Sequence, residues 1–97
     1  MADGKVEVRN VNAPHHVTRV DAVKYEAMRA ALMAVLPGEA EAITVADAKD
    51  RLLAHLSDDL FPGGAKAGWW QKTVQLDLEA RGLVGRTADK PMRIYKV

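Results

Sequence analysis

The sequence of 97 residues contains no cysteine. Without thiols the chain can form no disulfide, no thiolate nucleophile and no cysteine-type zinc finger. It also lacks an apolar run of about 18 residues, and no apolar segment follows its first residues. These absences argue against a membrane span and a secretory signal, so we expect a cytoplasmic protein that does not associate with membranes.

Aromatic residues make up only 5% of the chain, but 48% of all residues are hydrophobic and 28% are charged. This composition is typical of a globular protein, and a chain of this length can bury roughly two-thirds of its unfolded surface. A core without covalent or metal cross-links is therefore feasible. We expect an N-terminal strand and loop segment over residues 1–20, followed by one domain over residues 21–97.

Charge is distributed unevenly along the chain, although the net charge is only +1. Residues 21–61 contain four basic and eight acidic side chains, whereas residues 62–97 contain seven basic and three acidic ones. The C-terminal third is thus a basic segment on a nearly neutral protein. Such an asymmetry can direct association with an anionic partner such as nucleic acid.

Hydrophobic spacing predicts a short strand and then a helix. In "KVEVRNVN" (5–12) valines alternate with polar residues, as on a strand, and "NAPHHVTR" (12–19) is typical of a loop. A helix follows from Asp21, a plausible N-cap, to the helix-ending "LPG" at 36–38. Its apolar stripe consists of Tyr25, Met28, Leu32, Val35 and Leu36.

Two further helices are expected. The second begins at Thr44, whose hydroxyl can cap the backbone, and it ends in "SDDLFPGG" (57–64). The third begins near Ala67 or Gly68 and stops before Gly82, which has the position of a C-terminal glycine cap. On this third helix we expect the side chains of Trp69 and Trp70 both to pack in the core. The alternative is a half-exposed ring that stacks on a base or on a partner protein.

Two short apolar runs close the sequence, "LVGR" (83–86) and "RIYKV" (93–97), with Asp89, Lys90 and Pro91 between them. This spacing predicts a β-hairpin with an exposed tip. The expected fold is therefore α+β: a three-helix, winged helix-turn-helix-like domain with a C-terminal β-hairpin and a short N-terminal strand.

Two resemblances extend this interpretation. The stretch "LDLEARGLVGR" (76–86), followed by a basic hairpin, resembles the end of the third helix and the wing of many bacterial transcription regulators, and the likeness covers residues 21–97. "RVDAVKYEAM" (19–28) and "LFPGGAKAGWWQKTVQLDLEARG" (60–82) are similar to a small bacterial family known only as a domain of unknown function. The first resemblance implies DNA binding, and the second implies no activity. The segment between Leu56 and Gly68 is longer than the usual helix-turn-helix connection.

The glycine-rich stretch before the third helix does not match a nucleotide-binding loop. A Walker A motif needs Gly-Lys-Ser/Thr at its end, but Trp69 follows Gly68 here. Two interpretations stay open. Backbone N–H groups at Gly68, with Lys66, could hold one phosphate at the helix start. Alternatively, the glycines let the chain turn tightly and let the tryptophans pack closely.

The polar arc of the third helix and the basic hairpin form the predicted DNA-binding surface. Glutamine can pair with adenine, and lysine can contact guanine or phosphate. Basic residues on a hairpin can hold the phosphate backbone, although they also protect ordinary sheet edges. The predicted contacts to double-stranded DNA are Lys66, Gln71, Lys72, Gln75, Arg86, Lys90 and Arg93.

Nothing in the sequence indicates an active site. His15 and His16 are adjacent, but no second cluster with metal-ligand spacing accompanies them, and Asp58 and Asp59 are better explained as a helix-end turn. We expect no enzyme activity, no cofactor and no metal. The alternative to DNA binding is a protein-interaction module, which would pair with itself or with a partner protein through the winged-helix scaffold or through an edge strand at 6–11 or 94–97.

Overall fold

The computed structural model describes residues 4–13, 15, 17–88 and 90–97. Within these ranges the chain forms three α-helices and two small antiparallel sheets, one of two strands and one of three. In chain order the elements are β1 (Lys5–Val8), β2 (Thr18–Asp21), α1 (Ala22–Val35), β3 (Ile43–Thr44), α2 (Val45–Leu52), α3 (Ala67–Ala80), β4 (Val84–Arg86) and β5 (Arg93–Lys96). The predicted α+β class is confirmed.

The N-terminal segment is a hairpin rather than a single strand and a loop. β1 pairs with β2 in an antiparallel register that places Val6 opposite Val20. The predicted first strand is confirmed, but the loop prediction is wrong at Thr18 and Arg19, which belong to β2. Only Val20 is buried in this four-residue strand, so its alternation is too short to recognise without its partner.

Both predicted N-caps are formed. The Asp21 carboxylate accepts a hydrogen bond from the Lys24 N–H at 2.9 Å, and the Thr44 hydroxyl accepts one from the Asp47 N–H at 3.1 Å. Such caps satisfy backbone donors that have no partner inside the helix. The predicted apolar stripe of α1 is confirmed, with Tyr25 among its buried members and Val35 partly buried.

The long connection between α2 and α3 contains two 3-10 turns, Leu53–His55 and Pro62–Gly64. Gly63 and Gly64 have φ angles of 60° and 76°, in the left-handed region that favours glycine. The glycines therefore turn the chain into α3, as one of the two sequence interpretations predicted. Asp58 supports the same turn, because its carboxylate accepts from the Gly63 N–H at 3.4 Å.

The predicted C-terminal hairpin is confirmed, and β3 joins it to give the strand order β3-β5-β4. Gly82, with φ 79°, ends α3 as expected. Because β5 lies in the centre of this sheet, the predicted edge strand over 94–97 is wrong. Residue Asp89 of the hairpin loop lies outside the described ranges. The helix-helix-helix-hairpin order is present, but a winged-helix arrangement stays a prediction.

The core lies between the three helices and the two sheets. Phe61 and Trp70 meet edge to face at its centre, with ring centroids 6.2 Å apart. Such aromatic contacts contribute beyond the burial of area alone. The residues that are fully shielded around them are mostly aliphatic, namely Met28, Leu32, Ala48, Leu52, Val74, Leu78 and Ile94.

One acidic side chain, Asp77 of α3, is also completely buried. Its carboxylate accepts hydrogen bonds from the Tyr25 hydroxyl, from the Arg9 N–H at 2.7 Å and from Arg81 Nε at 2.9 Å. Arg81 also donates to the Glu7 carbonyl at 3.2 Å. Asp77 therefore links α1, α3 and the N-terminal hairpin through one buried group.

This buried link predicts a specific loss of stability at alkaline pH. Burial and the hydrogen bond to Asp77 raise the pKa of Tyr25 well above its usual value near 10. The protonated phenol thus contributes stability that is fully present below about pH 10 and is lost as the pH rises toward the folded-state pKa. Urea unfolding should show that Tyr25→Phe is less stable than the wild type near pH 8, with a smaller further loss toward about pH 11. Parallel stability curves for both proteins would contradict this assignment.

Candidate functional site

The outward face of α3 differs from the one that the sequence predicted. Gln71 and Gln75 were expected on the solvent side, but they are only 2% and 4% exposed. Each amide has an internal acceptor, because Gln71 Nε2 donates to the Val45 carbonyl and Gln75 Nε2 donates to Glu79 Oε2, both at 3.0 Å. The predicted solvent arc is therefore wrong for these two glutamines.

The two tryptophans have different environments. Trp70 is buried as predicted, but Trp69 is 55% exposed, so its assignment to the core is wrong. The side chains of Trp69 and Trp70 point about 100° apart around the helix axis. Trp70 lies in the core, where its ring contacts Phe61. The Trp69 ring instead packs edge to face on Trp70, with centroids 5.0 Å apart and planes at 84°. One large aromatic ring is thus fixed at the surface.

The C-terminal half of the outward face of α3 is recessed. Leu76 lies on this face, about 20° from Trp69 and about 40° from Lys72 around the helix axis. It is nevertheless only 8% exposed, although it does not belong to the central core cluster. Both β-hairpins pack against α3, through β1 and β4. The helix therefore forms the floor of a groove instead of a projecting ridge.

Two cavities occupy this groove, one on each side of α3. The first has a volume of about 250 Å³ and lies against the N-terminal hairpin. The second has a volume of about 460 Å³ and lies between α3, the start of α2 and the C-terminal hairpin. Lys72 and Leu76 line both, so the cavities adjoin across the helix. We call this combined surface the α3 groove.

The α3 groove is basic. Arg9 lines the first cavity, Lys49 and Arg86 line the second, and Lys72 lines both. No acidic residue in the described part of the chain lines either cavity, although the protein has 13 acidic side chains. The Lys49 ammonium reaches over the first turn of α3, 3.6 Å from the point where a side chain at Gly68 would begin. A methyl group at Gly68 would be in ordinary van der Waals contact with this ammonium, so Lys49 lies directly beside the start of α3.

Arg86 differs from the other basic residues of the groove because it is paired. Its guanidinium donates from Nε to Glu79 Oε1, and from Nη2 to Glu79 Oε2 at 2.8 Å. These hydrogen bonds raise the pKa of Arg86 above its usual value. Arg86 therefore anchors the C-terminal hairpin to α3, whereas Lys49 and Lys72 form no ion pair within the described ranges.

The predicted contact residues are brought together only in part. The second cavity is lined by Gln71, Lys72, Gln75 and Arg86. Lys66, Lys90 and Arg93 line neither cavity. Arg93 neighbours the buried Ile94 on β5, and adjacent strand residues point to opposite faces.

Arg9 and Lys49 were missed by the sequence interpretation, which gave an exposed tryptophan ring only as the alternative to a core position. Arg9 reaches the groove only because β1 pairs with β2, and Lys49 only because α2 packs beside the start of α3. Neither proximity has a local sequence signal. Trp69 could have been placed outward if the burial of Gln71 and Gln75 had been known.

The described ranges contain neither a metal-binding cluster nor a membrane-spanning helix. Across these ranges, no group of three or more His, Asp or Glu side chains is arranged to hold a metal ion. His16 lies outside them, so the paired-histidine interpretation falls on a residue that the structure does not describe. No helix in the same ranges has the length and apolar character needed to cross a bilayer.

The fold and the groove define a small mixed α+β domain with a basic surface recess edged by an exposed tryptophan. The chain belongs to the family of unknown function DUF6958, which matches residues 5–94. The resemblance to a domain of unknown function is thereby confirmed, and the family description carries no activity. Neither the curated proteins nor the solved structures include one that matches the chain.

Proposed function

We propose that this protein is a DNA-binding module whose contact surface is the α3 groove. The proposal rests on one observation: four basic side chains and no acidic one line the two cavities within the described ranges. Phosphate contacts supply most of the non-specific affinity of DNA-binding proteins, and lysine and arginine make them. Arg9, Lys49 and Lys72 are the groups suited to this role.

In this proposal α3 contacts phosphates and does not read the edges of bases as a recognition helix does. Gln71 and Gln75 donate their amide hydrogens inside the protein, so pairing with adenine would first require those bonds to break. The recess around Leu76 also keeps the second half of the helix from entering a major groove. The proposed contacts are therefore to phosphates from the first two turns of α3 and from its flanking elements.

Fluorescence anisotropy with labelled DNA tests this function directly. Single-stranded and duplex probes of mixed sequence are titrated at about 50 and 200 mM salt. With three phosphate contacts, affinity should fall roughly 20- to 40-fold between these concentrations. Lys72→Glu should weaken binding and reduce the salt slope by about one contact. Absence of binding to both probes at the lower salt concentration, with a folded protein, would reject DNA binding and favour the protein-interaction alternative.

A further inference from the structure

Resting on the proposed function, we infer that the α3 groove holds single-stranded DNA, with one base stacked on Trp69 and the adjoining phosphates at Lys72 and Arg9. Two features favour a single strand: an aromatic ring exposed beside basic residues, and the burial of Leu76 on the same face of α3. Together they match the way in which proteins bind single strands, through a positively charged groove and stacking platforms.

The ring of Trp69 is placed where a stacking platform requires it. All five aromatic residues of the chain lie in the described ranges, and Trp69 alone is more than half exposed. It lines the first cavity together with Arg9 and Lys72. The edge-to-face contact with Trp70, itself packed on Phe61, holds the ring in position before any ligand arrives. Little side-chain entropy remains to be lost on stacking.

The positions of the basic groups fit a strand that crosses α3. Lys72 follows Trp69 by one helical turn and lines both cavities. Arg9 lies beyond the ring on the N-terminal hairpin, and Lys49 lies on the opposite side over Gly68. A DNA strand running from the first cavity to the second would have a basic side chain in each cavity and at Lys72 between them.

The first cavity and the burial of Leu76 favour an unpaired base over a duplex. An unpaired base can enter a cavity of about 250 Å³ that is open at the surface, whereas paired bases present only their edges. Leu76 shows how far α3 is recessed, because it remains 8% exposed at the centre of the outward face. A base turned outward from a single strand can stack on Trp69, because that side chain is 55% exposed.

The test compares oligothymidylate of about 15 nucleotides with a duplex of the same length, using the full chain and its tryptophan fluorescence. The single strand should bind at least about tenfold more tightly than the duplex, with quenching of Trp69. Trp69→Ala should lose roughly 5- to 150-fold in affinity for the single strand. Trp69→Phe retains a ring and should keep most of the affinity while losing most of the quenching. Urea unfolding of both variants, followed through Trp70, establishes that they are folded.

The outcomes separate this inference from the proposed function. Equal or tighter binding of the duplex, or unchanged affinity in folded Trp69→Ala, would overturn the single-strand assignment while DNA binding through Lys72 still stood. Absence of binding to either form would overturn both. Oligouridylate of equal length should bind no more tightly, because the inferred contacts are to a base and to phosphates and none of them is to a 2′-hydroxyl. A preference for it of about tenfold or more would overturn the assignment to DNA.

Discussion

Asp77→Ala is expected to lower the free energy of unfolding by about 3 kcal/mol, a large share of the stability of a domain of this size. The carboxylate is completely buried and accepts from three donors. Alanine would leave the buried Tyr25 hydroxyl without its acceptor, at a cost of about 1–3 kcal/mol, and would also remove the acceptor of the part-buried Arg9 N–H. Arg81 contributes less to the loss, because its side chain is 35% exposed and can regain water.

Urea unfolding followed by tryptophan fluorescence measures this effect. Asp77→Asn should have an intermediate stability, since it keeps one acceptor oxygen but loses the charge. Asp50→Ala is the matched control, because Asp50 is exposed on α2 and its replacement should change stability by less than about 0.5 kcal/mol. A loss at Asp77 no larger than that at Asp50 would show that the buried cluster does not hold the N-terminal hairpin in place.

The elements that sequence reasoning located correctly are those with local signals. Asp21 and Thr44 lie directly before helices and bond to backbone N–H groups three residues onward. Gly82 ends α3 with a left-handed φ angle that other residues rarely adopt. These signals act over a few residues, so the sequence alone contains them. β2 has no comparable signal, and its strand geometry depends on pairing with β1.

The rotation of α3 could not be predicted from its own residues. Polar side chains were expected outward and tryptophans inward, as periodicity usually indicates. The structure buries Gln71 and Asp77, because α1, α2 and the N-terminal hairpin supply their hydrogen-bond partners. It exposes Trp69, because the core accommodates only the neighbouring ring. These hydrogen-bond partners lie more than 20 positions away along the chain, so the residues of α3 alone could not show which of its faces is buried.

The candidate site shows the same dependence on distant contacts. Lys72 was predicted from the third helix and lies in the groove, as does Arg86, although Arg86 is tied to Glu79. Arg9 and Lys49 come from elements on either side of α3, and only the tertiary fold brings them together. The basic C-terminal third therefore predicted a positively charged surface, but it contains only Lys72 and Arg86 of the basic residues that line the groove.

Lys49→Glu is expected to weaken DNA binding by roughly 10- to 30-fold at low salt. The ammonium of Lys49 lies over Gly68 at the edge of the second cavity. Replacing it by a carboxylate removes one attraction to phosphate and adds one repulsion, each worth about 1 kcal/mol at contact in water. The same change should also reduce the dependence of affinity on salt by about one phosphate contact. Anisotropy titrations of the single-stranded probe at several salt concentrations measure both quantities.

Arg51→Glu is the matched control for Lys49→Glu. Both residues lie in the last turn of α2, so reversing either charge changes the net charge and the interaction with the helix dipole equally. Arg51 is exposed but lines neither cavity. If the groove binds DNA, Arg51→Glu should lose no more than about threefold, the effect of long-range charge alone. Equal losses in the two variants would mean that overall charge attracts the DNA, and the α3 groove would then not be its binding site.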